Sequence, residues 1–138
     1  MSLRRAGLLS VTYVSAKPPS AWRGTPAEDV LDLENLARRT IFFSGSSEVA
    51  ALNYPKNANL AATIAMAGIG FERTQVQLVA DPGLTKNVGT ILAVSEASVL
   101  ELSLTSEASP SNPKTSVITA MSVLALLDNR AQTTSLAV

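Results

Sequence analysis

The chain of 138 residues contains no cysteine and no histidine. Without cysteine there is no disulfide, no thiolate zinc site and no cysteine nucleophile. Without histidine it lacks the usual acid–base group near neutral pH and the commonest metal ligand. Chemistry here must therefore draw on carboxylates, lysines, tyrosines or hydroxyls. Aromatic residues make up 4%, and eleven basic residues balance eleven acidic ones. Only Arg4-Arg5 and Arg38-Arg39 stand side by side, which makes no stripe for tracking phosphates and argues against nucleic acid as a partner. The longest apolar runs, Leu60 to Phe71 and Val117 to Leu127, are shorter than a bilayer span, so no membrane partner is expected. Met1 to Leu9 carries two arginines without an adequate apolar region, so no secretory signal is expected and a cytoplasmic protein is.

What is present alternates cleanly. Leu8 to Ser15 reads as a strand with Leu9, Val11 and Tyr13 on one face, ended by Lys17-Pro18-Pro19. Trp22 is expected to anchor the following loop to the core. Thr25 and Pro26 suit the N-cap and first position of a helix from Ala27 to about Arg39, with Val30, Leu31, Leu33 and Leu36 as its apolar side. Thr40 to Phe43 is β-rich. Ser44 to Ser47 turns into a helix with Glu48 at its positive end, stopping before Pro55. Asn57 to about Gly68 is an alanine-rich helix, apolar nearly all round and so buried on most sides. Gln75–Ala80, Gly89–Val94 and Val99–Thr105 read as strands close enough in sequence to pair as antiparallel neighbours. Asn112-Pro113 starts a last helix to Leu127, and Asp128 to Val138 is a polar tail. The expected fold is an α/β or α+β sandwich: a mixed, largely antiparallel sheet with helices on one face. A single domain over residues 1–127 follows, with the tail at 128–138.

Three polar clusters lie at the ends of apolar segments. Pro55-Lys56-Asn57-Ala58-Asn59 opens the alanine-rich helix, where free N–H groups can face an anion or an amide, or the asparagines can simply cap. Asn112-Pro113-Lys114-Thr115-Ser116 offers a lysine and two hydroxyls at another helix start, suited to a carboxylate or again to capping. Asp81-Pro82-Gly83 follows a strand, where an Asx-type turn is favoured over a catalytic carboxylate. Gly68-Ile69-Gly70 is no dinucleotide fingerprint, because it closes a helix instead of linking a strand to one.

Taken in order, Lys17-Pro18-Pro19, Trp22-Arg23-Gly24-Thr25-Pro26-Ala27, Ser44-Gly45 with Glu48-Val49-Ala50, Tyr54 to Thr63, Ala80-Asp81-Pro82, Asn87-Val88 and Asn112 to Ser116 resemble the non-Rossmann domain of the L-aspartate dehydrogenase family. The resemblance spans about Leu8 to Leu127. It implies a fold similar to the C-terminal domain of glyceraldehyde-3-phosphate dehydrogenase-like oxidoreductases. It also implies NAD- or NADP-linked interconversion of L-aspartate with iminoaspartate, or with oxaloacetate and ammonia, in NAD biosynthesis. In that family the domain follows a Rossmann domain, shapes the pocket for a small dicarboxylate and forms a homodimer. By resemblance Asn59 corresponds to the asparagine near the nicotinamide; Asn57, Lys114 and Thr115, at the two helix starts, are the residues expected to meet the substrate. The catalytic histidine position is occupied by Gly89, which cannot transfer a proton. The expectation is a substrate-binding and dimerisation domain, with the Rossmann domain absent, inactive alone and without tight NAD(H) binding. Two alternatives remain: a binding or assembly module that retains only the fold, and an enzyme completed by a Rossmann domain on another chain, its proton relayed by Lys114 or water.

Overall fold

A computed structural model describes residues 7–57 and 59–107. The expected last helix and the tail at 128–138 lie outside these residues. Five strands, β1 (Leu8–Lys17), β2 (Thr40–Ser46), β3 (Thr74–Ala80), β4 (Asn87–Ser95) and β5 (Val99–Ser106), form one sheet in the order β2-β3-β1-β4-β5. The helices α1 (Ser47–Asn53) and α2 (Asn59–Ala67) connect β2 to β3. The sheet is mixed: β1 runs parallel to β3, and the β1–β4, β2–β3 and β4–β5 pairs are antiparallel.

Register decides which side chains face the helices. Val11 lies opposite Thr74 and Ala93, Tyr13 opposite Val76 and Ile91, and Ser15 opposite Leu78 and Gly89. These positions share one face because strand side chains alternate with period two. The core forms there, where Val11, Tyr13, Val76, Leu78, Ile91 and Ala93 meet Ala50 of α1 and Ala61 and Ile64 of α2. Leu100 and Leu102 of edge strand β5 pack on the same cluster, and Val99 and Glu101 are exposed, as their alternation predicts.

Both helices end by local chemistry. The Ser46 hydroxyl caps α1 by accepting from the Val49 N–H at 3.2 Å. This fills one of the free donors of the first turn. At the far end of α2 the Gly70 N–H reaches back to the Ala65 carbonyl at 3.0 Å. Gly70 has φ +94, a conformation that favours glycine.

Three expectations need correction. The strands after residue 75 do not form one antiparallel run: only β4 and β5 pair as a hairpin, and β1 inserts between β3 and β4. The parallel β1–β3 ladder satisfies the backbone groups of β3 that a direct β3–β4 hairpin would have used. Second, no helix extends from Ala27 to Arg39. A 3-10 turn at Pro26–Asp29 opens with Thr25 as its cap and stops at once. The Asp32 carboxylate accepts from the Asn35 backbone N–H and from its Nδ2, a local alternative that competes with helix formation. Third, Leu9 does not share the inner face with Val11. The β1–β4 register shifts between Leu8 and Ser10, so Leu9 is 55% exposed while Leu8 packs on the core.

Candidate functional site

Trp22 is fully buried, as expected for an anchor, although it sits on a 3-10 turn (Pro19–Trp22). Its indole N–H donates to the Val79 carbonyl at 2.9 Å, and Phe42 meets its ring edge-on at 4.8 Å between centroids. The Lys17 ammonium lies 4.7 Å from the centroid of this ring. Lys17 is the last residue of β1 and falls on the helix-side face, two positions beyond Ser15. Its Nζ donates to Asn57 Oδ1 at 3.1 Å, tying the strand end to the segment that leads into α2. Burial holds the Lys17 pKa below the ordinary lysine value.

No carboxylate offsets that charge among the described residues. The two ion pairs there, Arg23–Glu34 and Lys86–Glu107, are both exposed. Asp81 lies near the same end of the sheet, since its N–H donates to the Lys17 carbonyl at 2.9 Å. Its side chain is engaged otherwise, accepting from the Gly83 N–H at 2.8 Å in the Asx-type turn that the sequence favours. The described residues contain no group of acidic side chains able to hold a metal.

Asn87 begins β4 on the helix-side face, and its buried Oδ1 has no hydrogen-bond partner. The ladder pairs Ala16 with Val88, and both strands extend one residue further, to Lys17 and Asn87. Two residues along β4 is Gly89, opposite Ser15. The space beside Gly89 belongs to Tyr13: a Cβ built there would meet Tyr13 Cε2 and Oη at 3.2 Å each. Burial pushes the Tyr13 hydroxyl pKa up to about 12, and a hydrogen bond with Ser15 pulls against that rise. Tyr13 is therefore a neutral phenol across the physiological range and no substitute for an imidazole.

Of the residues singled out in the sequence, Asn57 lies against Lys17, Asn59 opens α2, and Gly89 lies beneath Tyr13. Lys114 and Thr115 lie outside the described residues. Sequence reasoning missed Lys17 and Asn87 at one end of the sheet and Tyr13 packed over Gly89. The period of β1 carried the signal, since Val11, Tyr13, Ser15 and Lys17 all fall on the inner face. The described residues thus place a part-buried cationic group, Lys17, at the end of the sheet with the Asn57 amide beside it.

The chain matches the family described as "Aspartate dehydrogenase, C-terminal" over residues 1–130. It is 50% identical over 127 residues to the L-aspartate dehydrogenase of Polaromonas sp. (strain JS666), covering 92% of this chain and 48% of that protein. The L-aspartate dehydrogenase of Ralstonia nicotianae is 47% identical over 133 residues, covering 96% of this chain and 50% of its own. The crystal structure of aspartate dehydrogenase from Thermotoga maritima superimposes with a TM-score of 0.62 at 29% identity, covering 93% of this chain and 46% of that one. The chain thus spans about half the length of the curated relatives it matches. With sequence and fold in agreement, the chain belongs to the aspartate dehydrogenase C-terminal domain family.

Proposed function

We propose that this chain is the substrate-binding and dimerisation domain of a cytoplasmic NAD(P)-dependent aspartate dehydrogenase, and that alone it does not turn over L-aspartate. The observation that carries the reading is Gly89 with the Tyr13 ring packed over it. The position assigned to the catalytic histidine then holds no proton donor, and its space is filled. General acid–base assistance contributes about 10²- to 10⁴-fold, so its loss is severe. In this reading Asn59 lies near the nicotinamide, and Asn57, Lys114 and Thr115 contact a small dicarboxylate.

A dinucleotide fits the described residues poorly. A pyrophosphate needs a glycine turn between a strand and a helix N-terminus. Gly68 and Gly70 lie at the C-terminal end of α2 instead. The cofactor must be held mainly by a dinucleotide-binding domain, on the same polypeptide or another. Micromolar NADH binding to this chain by calorimetry would contradict that.

The test is NAD(H)-linked turnover of L-aspartate, and of oxaloacetate with ammonia, by the chain alone and with such a domain supplied. Turnover by the chain alone would refute the reading. Turnover appearing only with the domain supplied would favour an enzyme completed on another chain. Absence of turnover in both arms without any dicarboxylate binding would favour a binding or assembly module that retains the fold.

Dimerisation is supported by the outer face of the sheet. Val14, Leu92 and Val94 are half-buried there, and Ile41 and Val99 are exposed. Apolar faces of this kind mark interfaces, and two-fold pairs are the commonest closure. A monomeric mass by light scattering at high protein concentration would count against it.

A further inference from the structure

We propose that Lys17 is the carboxylate anchor of this site, its ammonium pairing with one carboxylate of a small dicarboxylate. This deepens the substrate-binding role proposed above and rests on it. The argument begins with the cost of burying charge. An ammonium removed from water is expensive unless an anion or several acceptors replace its hydration. Lys17 has three N–H donors and is given one neutral acceptor, Asn57 Oδ1, and the face of Trp22. No carboxylate among the described residues completes it.

The surroundings are built to hold the lysine in place. Trp22 is locked by its hydrogen bond to Val79 and by the edge of Phe42, so the ring under the ammonium is rigid. Lys17 remains partly exposed, which leaves its head reachable from one side. The orphaned Asn87 Oδ1, at the next position of the neighbouring strand, is a second sign that this end of the sheet lacks a partner. Buried polar atoms are normally satisfied, and one left open at the same end of the sheet as an uncompensated cation suits a ligand carrying both an anionic group and a donor.

Trp22 is the chain's one tryptophan and therefore reports on its own lysine. The experiment titrates the chain with succinate, a redox-inert dicarboxylate, at constant ionic strength, following tryptophan emission; dimethyl succinate is the uncharged control. We expect a saturable change with succinate and none with the diester. Lys17→Met, which keeps the stem packed on the indole, should weaken binding about 10- to 100-fold, the range for losing one charge-assisted hydrogen bond. Lys86→Met, which removes an exposed lysine paired with Glu107, should leave it unchanged. Should Lys17→Met not fold, carbon-13 spectra of the wild-type lysines take its place. The ε-carbon signal shifted by the Trp22 ring should titrate at higher pH when succinate is bound.

If the wild type binds succinate and folded Lys17→Met binds equally well, or the ring-shifted lysine does not respond, the anchor assignment is overturned and the substrate-binding role stands. If the wild type shows no binding, both fall together.

Discussion

Adding one methyl group at Gly89 tests the Tyr13–Gly89 contact directly. In Gly89→Ala the new Cβ lies 3.2 Å from both Tyr13 Cε2 and Tyr13 Oη, and 3.6 Å from Cζ. Those contacts are tight enough that the ring must move by a few tenths of an ångström. Tyr13 has little room to do so, being only 4% exposed and hydrogen-bonded to Ser15. Overpacking of this kind costs about 1–3 kcal/mol. Against it, replacing glycine by alanine narrows the unfolded ensemble and contributes about 0.4–1 kcal/mol of stability. At the middle of each range the steric term wins, leaving a net loss of about 1.3 kcal/mol. For a chain of this size that lowers the melting temperature by about 2–10 °C. Urea unfolding of wild type, Gly89→Ala, Tyr13→Leu and the double variant completes a cycle, with a coupling of at least about 0.5 kcal/mol expected between neighbours in contact. If Gly89→Ala is as stable as wild type or more so, the ring does not fill that space. The same geometry sets a condition for any larger side chain at this position: Gly89→His needs Tyr13 shortened in the same chain.

Tyr13 also sets an alkaline limit. Its folded pKa, about 12, lies above the ordinary value of 10.0, so the stability it contributes is complete below pH 10 and lost between pH 10 and 12. That loss is on the order of 3 kcal/mol, and pH-dependent unfolding of Tyr13→Phe should show a shallower decline over the same window. Lys17 acts in the opposite sense, because its folded pKa is depressed. It destabilises the fold at neutral pH, and that cost fades as pH rises through the depressed folded value and is gone above the ordinary lysine value of 10.5. Lys17→Met should therefore be at least as stable as wild type at pH 7 by thermal unfolding; a loss above about 1 kcal/mol would show that the ammonium stabilises the fold instead. Trp22→Ala removes a fully buried indole and should cost about 3–5 kcal/mol by chemical denaturation. Ser46→Ala removes the α1 cap and should cost about 1 kcal/mol, with hydrogen exchange at Val49 as the local readout.

Much of this fold was legible because alternation and helix punctuation report local physics. β5 alternates along its whole length, and its leucines point inward as the pattern requires. Ser46, Glu48 and Pro55 bracket α1 by capping, dipole and steric rules that need no knowledge of the tertiary structure. The failures occurred where a distant partner decided the outcome. Leu31, Leu33 and Leu36 suggested an apolar helix side, yet Leu31 and Leu33 are two residues apart and cannot share a helix face. They instead pack on the core from an irregular, bent segment, while Val30, read as part of the same side, is exposed. The insertion of β1 between β3 and β4 leaves no local mark, since the pairing joins residues far apart in sequence. Of the site, the Asn57 region was visible as a helix start. Lys17 and Asn87 became a group only when register brought their strands side by side.

The central place of β1 has a consequence for how the chain is made. Val11 pairs with Thr74, 63 positions later (74 − 11), and closing such a loop costs about 4 kcal/mol of chain entropy before any contact compensates. β4 and β5, by contrast, meet through the short turn at Ser95–Ser98 and can pair as soon as both exist. Of these five strands, the first in chain order is thus among the last to find its neighbours. At a translation rate of about 5–20 residues per second, Leu8–Lys17 waits roughly 3–13 s for β3 to emerge, with both edges unpaired. Among the described strands, the one that carries Tyr13 and Lys17 is consequently the most exposed to wrong partners during synthesis.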